Sequence, residues 1–137
     1  MSSFKAFDIA ASGMSAQNLR LNLVASNMAN VDTISSSIER TYRAREPVFQ
    51  AVMDGLDPTR PASGVRMLGV IESQAPLRKE YQPDHPMADE QGYIYRPNVN
   101  LVEEMANMIS ASRSYQSNVE VMNAAKRMAV STIDIGK

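Results

Sequence analysis

The sequence NVNLVEEMANMISASRSYQSNVEVMNAAKRMAVSTIDIGK, residues 98–137, carries one uninterrupted helical pattern. Ten positions follow one another in alternating steps of four and three residues, which is the spacing of a heptad seam. They are Leu101, Met105, Met108, Ser112, Tyr115, Val119, Met122, Lys126, Ala129 and Ile133, and only Ser112 and Lys126 are not apolar. At about 1.5 Å per residue such a helix is about 50 Å long, more than the diameter of a small domain. We therefore expect it to find partners outside a compact core.

The ends and the other faces of this segment support the same interpretation. Asn100 and Glu103 have the spacing of a capping pair, Gly136 suits a helix end, and no proline intervenes. A second apolar stripe, with mostly Ser, Asn and Gln elsewhere, predicts neighbours on several sides. Its members are Val102, Ala106, Ile109, Val121, Ala124 and Met128. An ordinary two-helix hairpin with a wide core face is the alternative.

Residues 3–30 repeat the pattern at the other end of the chain. Eight positions again alternate by three and four residues, and seven of them are apolar. They are Phe4, Phe7, Ala11, Met14, Asn18, Leu21, Ala25 and Met28. Because each seam lacks a partner within its own helix, we expect the two terminal helices to pair as an antiparallel coiled coil.

The segment between the helices predicts a small β-rich insertion. Residues 31–38 read as an irregular connector, and residues 39–53 are ambiguous between a strand and a helical end. Residues 54–64 hold two Gly and two Pro and predict a mobile loop, whereas 65–71 and 92–96 predict strands. The expected fold is mainly α, divided into an N-terminal helix at 1–33, a β-rich element at 34–97 and a C-terminal helix at 98–137.

Composition narrows the class of protein. The 137 residues fit one domain, and a net charge of -1 argues against a nucleic-acid or membrane-surface role. No cysteine is present, so neither a disulfide nor a thiolate metal site can form. The N-terminus lacks an apolar signal region, and no run of about 18 apolar residues occurs. If the protein is exported, we expect a route other than general secretion.

Candidate chemistry is sparse. The single histidine, His85, stands between Asp84 and Pro86, where a turn that satisfies local backbone groups is favoured over a metal or hydrolytic site. Arg40, Arg43 and Arg45 form a basic cluster that predicts a solvated strand face, or else a contact with an acidic partner. Neither a nucleophile elbow nor a phosphate loop occurs. We predict no catalytic, metal or cofactor site, and no enzyme.

Three segments resemble the bacterial flagellar rod and hook axial proteins. Residues 23–33, LVASNMANVDT, are similar to the N-terminal signature of that family, whose core Ala-Asn-x-x-Thr is matched by Ala29, Asn30 and Thr33. Residues 84–100 resemble the segment typical of a proximal rod subunit, and residues 110–121 resemble its C-terminal helix signature. The resemblance covers the chain from end to end and is weakest at 35–66.

The resemblance implies a structural subunit of the proximal rod that transmits torque and forms part of the export channel wall. The implied partners are copies of itself, the rod proteins FlgB, FlgF and FlgG, FliE and the membrane ring. Passage through the flagellar type III export apparatus, without a cleaved signal, and a periplasmic location are implied as well. Neither nucleic acid nor a small-molecule substrate is expected.

The residues expected at the assembly interface come from the two seams and the signature. They are Phe7, Met14, Leu21, Met28, Ala29, Asn30, Thr33, Met105, Met108, Tyr115, Val119 and Met122. Another rod subunit of the same assembly is one alternative. A helical adaptor or export chaperone would share the heptads, and a cell-wall hydrolase is the enzymatic alternative.

Overall fold

The computed structural model describes residues 3–53 and 62–136. Within them the helices are α1 (Ser3–Ala29) and α2 (Leu101–Ile135), and the strands are β1 (Arg45–Met53), β2 (Ala62–Glu72), β3 (Arg78–Tyr81) and β4 (Tyr93–Arg96). The prediction of a mainly α chain with long terminal helices and a small β insertion is confirmed. No helix in these two described stretches is both long and apolar enough to cross a membrane.

The helix ends follow local side-chain chemistry. The Oδ1 of Asn100 accepts hydrogen bonds from the backbone N–H of Val102 at 3.1 Å and of Glu103 at 3.4 Å, so Asn100 caps α2 as its position predicts. Gly136 donates its N–H to the carbonyl of Ile133 and ends the helix. After α1, the Thr33 side chain donates to the carbonyl of Asn30 at 2.8 Å and turns the chain away from the helix axis.

The strands form two separate two-stranded sheets, β1 with β2 and β3 with β4. In the second sheet the strands are antiparallel, with Arg78 opposite Arg96 and Tyr81 opposite Tyr93. Ser35 extends this sheet through an antiparallel bridge to Tyr95, with both backbone hydrogen bonds at 3.0 Å. Two-stranded sheets are marginal in water by themselves, so both need support from the rest of the chain.

The structure corrects parts of the predicted insertion. Residues 45–53 are strand throughout, so the helical alternative at 51–53 is wrong. β2 begins at Ala62, three residues before the predicted start, and β3 was not predicted. The rest of the predicted mobile loop, residues 54–61, lies outside the described residues.

The chain divides into two compact units, and each helix contributes to both. The first unit comprises residues 1–21, 47–69 and 109–137. Among its described residues, Ala10, Ala16, Ala111 and Ala125 are buried. Its helices come close at Gly13, where an added Cβ would lie 2.8 Å from the Nδ2 of Asn118. Small side chains thus dominate this contact.

The β1–β2 sheet reaches α1 at Ser12. The Ser12 hydroxyl donates to the Ile9 carbonyl at 2.8 Å and accepts the N–H of Val65 at 3.1 Å. Gly64 lies against the same side chain, since an added Cβ there would be 2.8 Å from Ser12 Oγ. One serine therefore joins a helix to an otherwise weakly supported sheet.

The second unit comprises residues 22–46 and 70–108. Its buried apolar side chains include Val24, Ala44, Ile94 and Val99, and its largest fully buried side chains are Ile94, Asn27 and Pro97. An asparagine ranks among these because both its amide oxygen and its amide nitrogen are hydrogen-bonded, which offsets the penalty of burying it.

Candidate assembly surfaces

Two asparagine side chains hold the start of β1 in the second unit. Asn27, only 1% exposed, accepts the N–H of Arg45 at 2.9 Å and donates to the carbonyl of Arg45 at 3.0 Å. Asn98 accepts the N–H of Ala44 at 2.8 Å and donates to the carbonyls of Ser73 and Ala75. These side-chain amides make backbone hydrogen bonds of the kind that a neighbouring strand makes. They therefore hold the connector after α1 in place without a large apolar core.

Tyr42 completes the attachment of the connector to α1. Its hydroxyl donates to Asn27 Oδ1 at 2.8 Å and lies 3.2 Å from Ser26 Oγ. The guanidinium of Arg45 stacks over the Tyr42 ring at 5.4 Å. The family-like segment that ends α1 therefore owes part of its structure to residues 15 or more positions later in the chain.

Two of the three arginines in the basic cluster are exposed, as predicted, and the third is half-buried. Arg43 donates to the carbonyls of Ser73 and Ala75. Arg40 and Arg45 are exposed, and Arg45 pairs with Glu72 at 3.8 Å. The cluster borders an open cavity of about 680 Å³. Arg43 and Arg45 thus serve the second unit itself, which the charge pattern alone does not reveal.

The β3–β4 turn is organised by Asp89. One carboxylate oxygen accepts the N–H groups of Tyr93 at 2.8 Å and Gln91 at 2.9 Å, and the other accepts the Tyr95 hydroxyl at 3.2 Å. The Tyr93 hydrogen bond is the main reason that the pKa of Asp89 lies below its ordinary value. Gly92, with φ of 83°, lets the chain turn there.

His85 takes the predicted turn role. Its Nδ1 accepts the N–H of Met87 at 3.0 Å, and its own N–H donates to the carbonyl of Gln82. No group of three or more His, Asp or Glu residues suited to a metal ion occurs in the described stretches.

In the first unit the predicted interface residues flank the contact line rather than occupy it. Phe7 is 40% exposed, and Met14, Leu21, Tyr115, Val119 and Met122 are half-buried. The fully buried positions, Ala10, Ala111 and Ala125, lie beside the predicted seams and carry smaller side chains. The assembly role of the predicted residues stays a prediction.

In the second unit the remaining predicted residues vary in exposure. Met105 is 49% exposed, and Ala29 and Thr33 are exposed, whereas Met28, Asn30 and Met108 are half-buried. Asn30 donates its side-chain amide to the carbonyl of Ser26 at 2.8 Å, so part of its function is to end α1.

Large apolar side chains remain exposed along both helices. In the first unit these include Phe4 at 77% and, on α2, three residues spaced by seven: Val121 at 50%, Met128 at 55% and Ile135 at 87%. Phe4 and Phe7 also line an apolar cavity of about 250 Å³ with Ala125, Lys126 and Ala129. A large exposed apolar patch marks an interaction site, and these side chains are candidates for one.

Two family models match the two ends of the chain. The model described as "Flagella basal body rod protein" matches residues 7–34, and the model described as "Flagellar basal body rod FlgEFG protein C-terminal" matches residues 90–135.

Relatives described as "Flagellar basal-body rod protein FlgC" align over nearly the whole chain. The one from Salmonella typhimurium is 47% identical over 131 residues, 96% of each chain. The one from Yersinia enterocolitica is 46% identical over 137 residues, 100% of each chain, and the one from Borreliella burgdorferi is 36% identical over 150 residues, 98% of each chain.

The chain belongs to the FlgC family of flagellar basal-body rod proteins. Membership confirms the resemblance inferred from residues 23–33, 84–100 and 110–121. The two ranges matched by the rod-protein models contain most of α1 and of α2, the same helices that leave apolar side chains exposed.

The residues that sequence reasoning missed in this FlgC family member are those with distant partners. Asn27 and Asn98 both lie in segments that resemble the family, but their hydrogen bonds to Arg45 and Ala44 bridge 18 and 54 residues. Periodicity reports only contacts within a helix turn or a strand pair, so no local signal points to these amides.

Proposed function

We propose that this chain is a structural subunit of the proximal rod of the bacterial flagellum, located in the periplasm and exported without a cleaved signal. The observation that carries the proposal is the row of exposed apolar residues on two long helices, in a chain whose FlgC relatives are named as rod proteins. Exposed side chains such as Phe4 and Met128 gain about 25 cal/mol for each Å² that a neighbour covers. Burial by neighbouring subunits then drives assembly.

The proposal includes antiparallel pairing of the two terminal helices. Two contacts in the first unit support it: Gly13 lies against Asn118, and Phe7, earlier in α1, lies with Ala125, later in α2. Moving toward the start of one helix thus moves toward the end of the other. In this arrangement residues 1–33 and 98–137 form the axial core of the rod, and residues 34–97 form a lateral element.

Torque transmission follows from this division. Long helices packed among copies of themselves and among FlgB, FlgF, FlgG and FliE resist twisting along the rod axis, and the lateral element adds contacts across it. The Ser, Asn and Gln side chains on the remaining helix faces would form part of the wall of the channel through which the type III apparatus passes later subunits. No catalytic step belongs to this role.

Complementation tests the proposal. Cells that lack their own gene for this subunit should regain swimming when they express the chain, and purified basal bodies should contain it. A matched variant with Leu at several exposed polar positions of α2 such as Gln116 should incorporate less well or obstruct later export. Swimming that fails to return, or basal bodies without the chain, would contradict the proposal.

A helical adaptor or export chaperone predicts the opposite distribution. Such a protein stays in the cytoplasm as a discrete monomer or dimer, and fractionation would recover it there instead of in basal bodies. Peptidoglycan zymography separates the cell-wall hydrolase alternative, and we expect it to be negative.

A further inference from the structure

The contact line between the two helices of the first unit is built from small side chains. On α2 it follows Ala111, Asn118 and Ala125, which are spaced by seven residues, and on α1 it includes Ala10 and Gly13. Because these side chains are short, the helices approach closely and the larger apolar residues are left on the two faces of the pair.

One face of the pair carries a groove. Phe4 and Phe7 from α1, with Ala125, Lys126 and Ala129 from α2, line its cavity of about 250 Å³. A dry cavity of about 150 Å³ is enough to bind a benzene ring, so this one has room for an aliphatic side chain. Lys126 is exposed at its rim, and Asp8 is exposed beside Phe7.

The opposite face carries a ridge, which we define as Val121, Met128 and Ile135. Each residue of an α-helix is rotated by about 100° from the one before it. Viewed along α2, Lys126 therefore lies to one side of Ala125 and the contact line, and Met128, three residues after Ala125, lies to the other side. The ridge residues are 50%, 55% and 87% exposed. They span about 20 Å along one side of α2, since seven residues rise about 10 Å.

We propose that the ridge of one copy occupies the groove of the next copy. This rests on the proposed assembly and names the partner of these two faces as a second copy of this chain. Charge favours the pairing: the exposed acids Glu120 and Asp134 precede the two end residues of the ridge and suit Lys126, and the exposed Arg127 beside Met128 suits Asp8. Because groove and ridge lie on opposite faces, the contact is heterologous, and each copy keeps a free groove or ridge for a further copy.

Cysteine cross-linking tests the pairing cleanly, since the chain contains no cysteine of its own. Phe4→Cys marks the groove, and it is combined in turn with Val121→Cys, Met128→Cys or Ile135→Cys. Three ridge positions are used because the structure does not give the shift of one copy along the helix axis relative to the next. The control series combines Phe4→Cys with cysteine at Gln116, Asn123 or Val130, which are exposed and also spaced by seven but lie on the far side of α2 from the ridge.

Mild oxidation of cells that express each variant in place of the native subunit should give a ladder of two, three and more copies with at least one ridge position. The control series and each single-cysteine variant should stay monomeric. If the Phe4→Cys variant does not assemble, the series is repeated with Ala129→Cys as the groove marker.

Other outcomes overturn the inference. Swimming cells without a ladder, ladders equally strong in the control series, or cross-links that contain a different rod protein would exclude this pairing while leaving the proposed function intact. Dimers from a single ridge cysteine would show ridge-to-ridge contact instead. Failure of the wild-type chain to restore swimming would count against the proposed function itself.

Discussion

Asn27 is a single side chain that replaces a strand partner for the residue where β1 begins. Its amide meets both backbone groups of Arg45 and also accepts the Tyr42 hydroxyl, although it is almost completely buried. The cost of leaving those groups unsatisfied, about 1–3 kcal/mol for a buried donor or acceptor, makes this position sensitive.

Asn27→Ala should lower the free energy of unfolding by about 1–3 kcal/mol, because the N–H of Arg45 and the Tyr42 hydroxyl lose their acceptor. Urea titration followed by tyrosine fluorescence measures the change. The exposed Asn22→Ala on the same helix is the control and should stay within about 0.5 kcal/mol of wild type. Equal midpoints for the two variants would show that the amide network contributes nothing.

Asp89 gives a pH dependence of known sign. Its pKa is held below the ordinary value of 3.8, chiefly by the Tyr93 N–H and also by the Gln91 N–H and the Tyr95 hydroxyl. A lowered folded pKa means that the stabilisation is complete above 3.8 and is lost as the pH falls through the lower folded value. Asp89→Asn should therefore flatten the acid side of the stability profile below about pH 4 and leave its shape above pH 5 unchanged. Urea midpoints from pH 2 to 6 test this, and a parallel shift at every pH would argue against it.

At the scale of elements, the Gly13–Asn118 contact sets how closely the helices of the first unit approach. Gly13→Ala places a Cβ 2.8 Å from the Asn118 amide nitrogen and 3.1 Å from its Cγ, so either the Asn118 side chain must move or the helices must separate. Overpacking of this kind costs about 1–3 kcal/mol. We expect weaker swimming and fewer incorporated subunits.

A second change identifies the cause of that defect. Asn118→Ala removes the atoms that the new Cβ meets, so the double variant Gly13→Ala with Asn118→Ala should assemble better than Gly13→Ala alone. Swarm diameter and the amount of chain in basal bodies measure both effects. If the double variant is worse by the sum of the two single effects, the contact does not limit helix approach.

The elements were predictable where their pattern is strong and local. Both helices and β2 were placed within a few residues, because heptads and β-branched runs carry their own signal. β3, Arg-Lys-Glu-Tyr, was missed because its polar composition hides a strand that cross-strand groups support: Glu80 pairs with Arg96 at 3.1 Å, and Lys79 lies 3.9 Å over the Tyr93 ring.

The candidate site was predictable only in part. The periodicity of Phe7, Met14 and Met122 located the apolar stripes, but the buried row through Ala10, Ala111 and Ala125 lies beside them. Alanine and glycine add little to a hydrophobic pattern, so periodicity does not reveal a row of small buried residues next to a row of large ones. Only the close approach at Gly13 distinguishes the two.

At the scale of the whole molecule, the exposed apolar residues on both helices predict that the helices form completely only when neighbouring subunits cover them. Helices of 27 and 35 residues with little burial between them should be only partly formed in a dilute monomer. Circular dichroism should report less helix than these lengths require at low concentration, and more as sedimentation shows association. Full helicity in a sedimenting monomer would contradict this expectation.

The narrow row of alanines between the helices also affects how the chain responds to force. Little surface is hidden there, so a pull on one end should peel α1 from α2 against small resistance, and no covalent bridge has to be reduced first. A single copy should therefore unfold easily when it is pulled through a narrow channel, and it should refold after it leaves. Once neighbouring subunits pack against the outer faces of both helices, the same chain should become hard to extract.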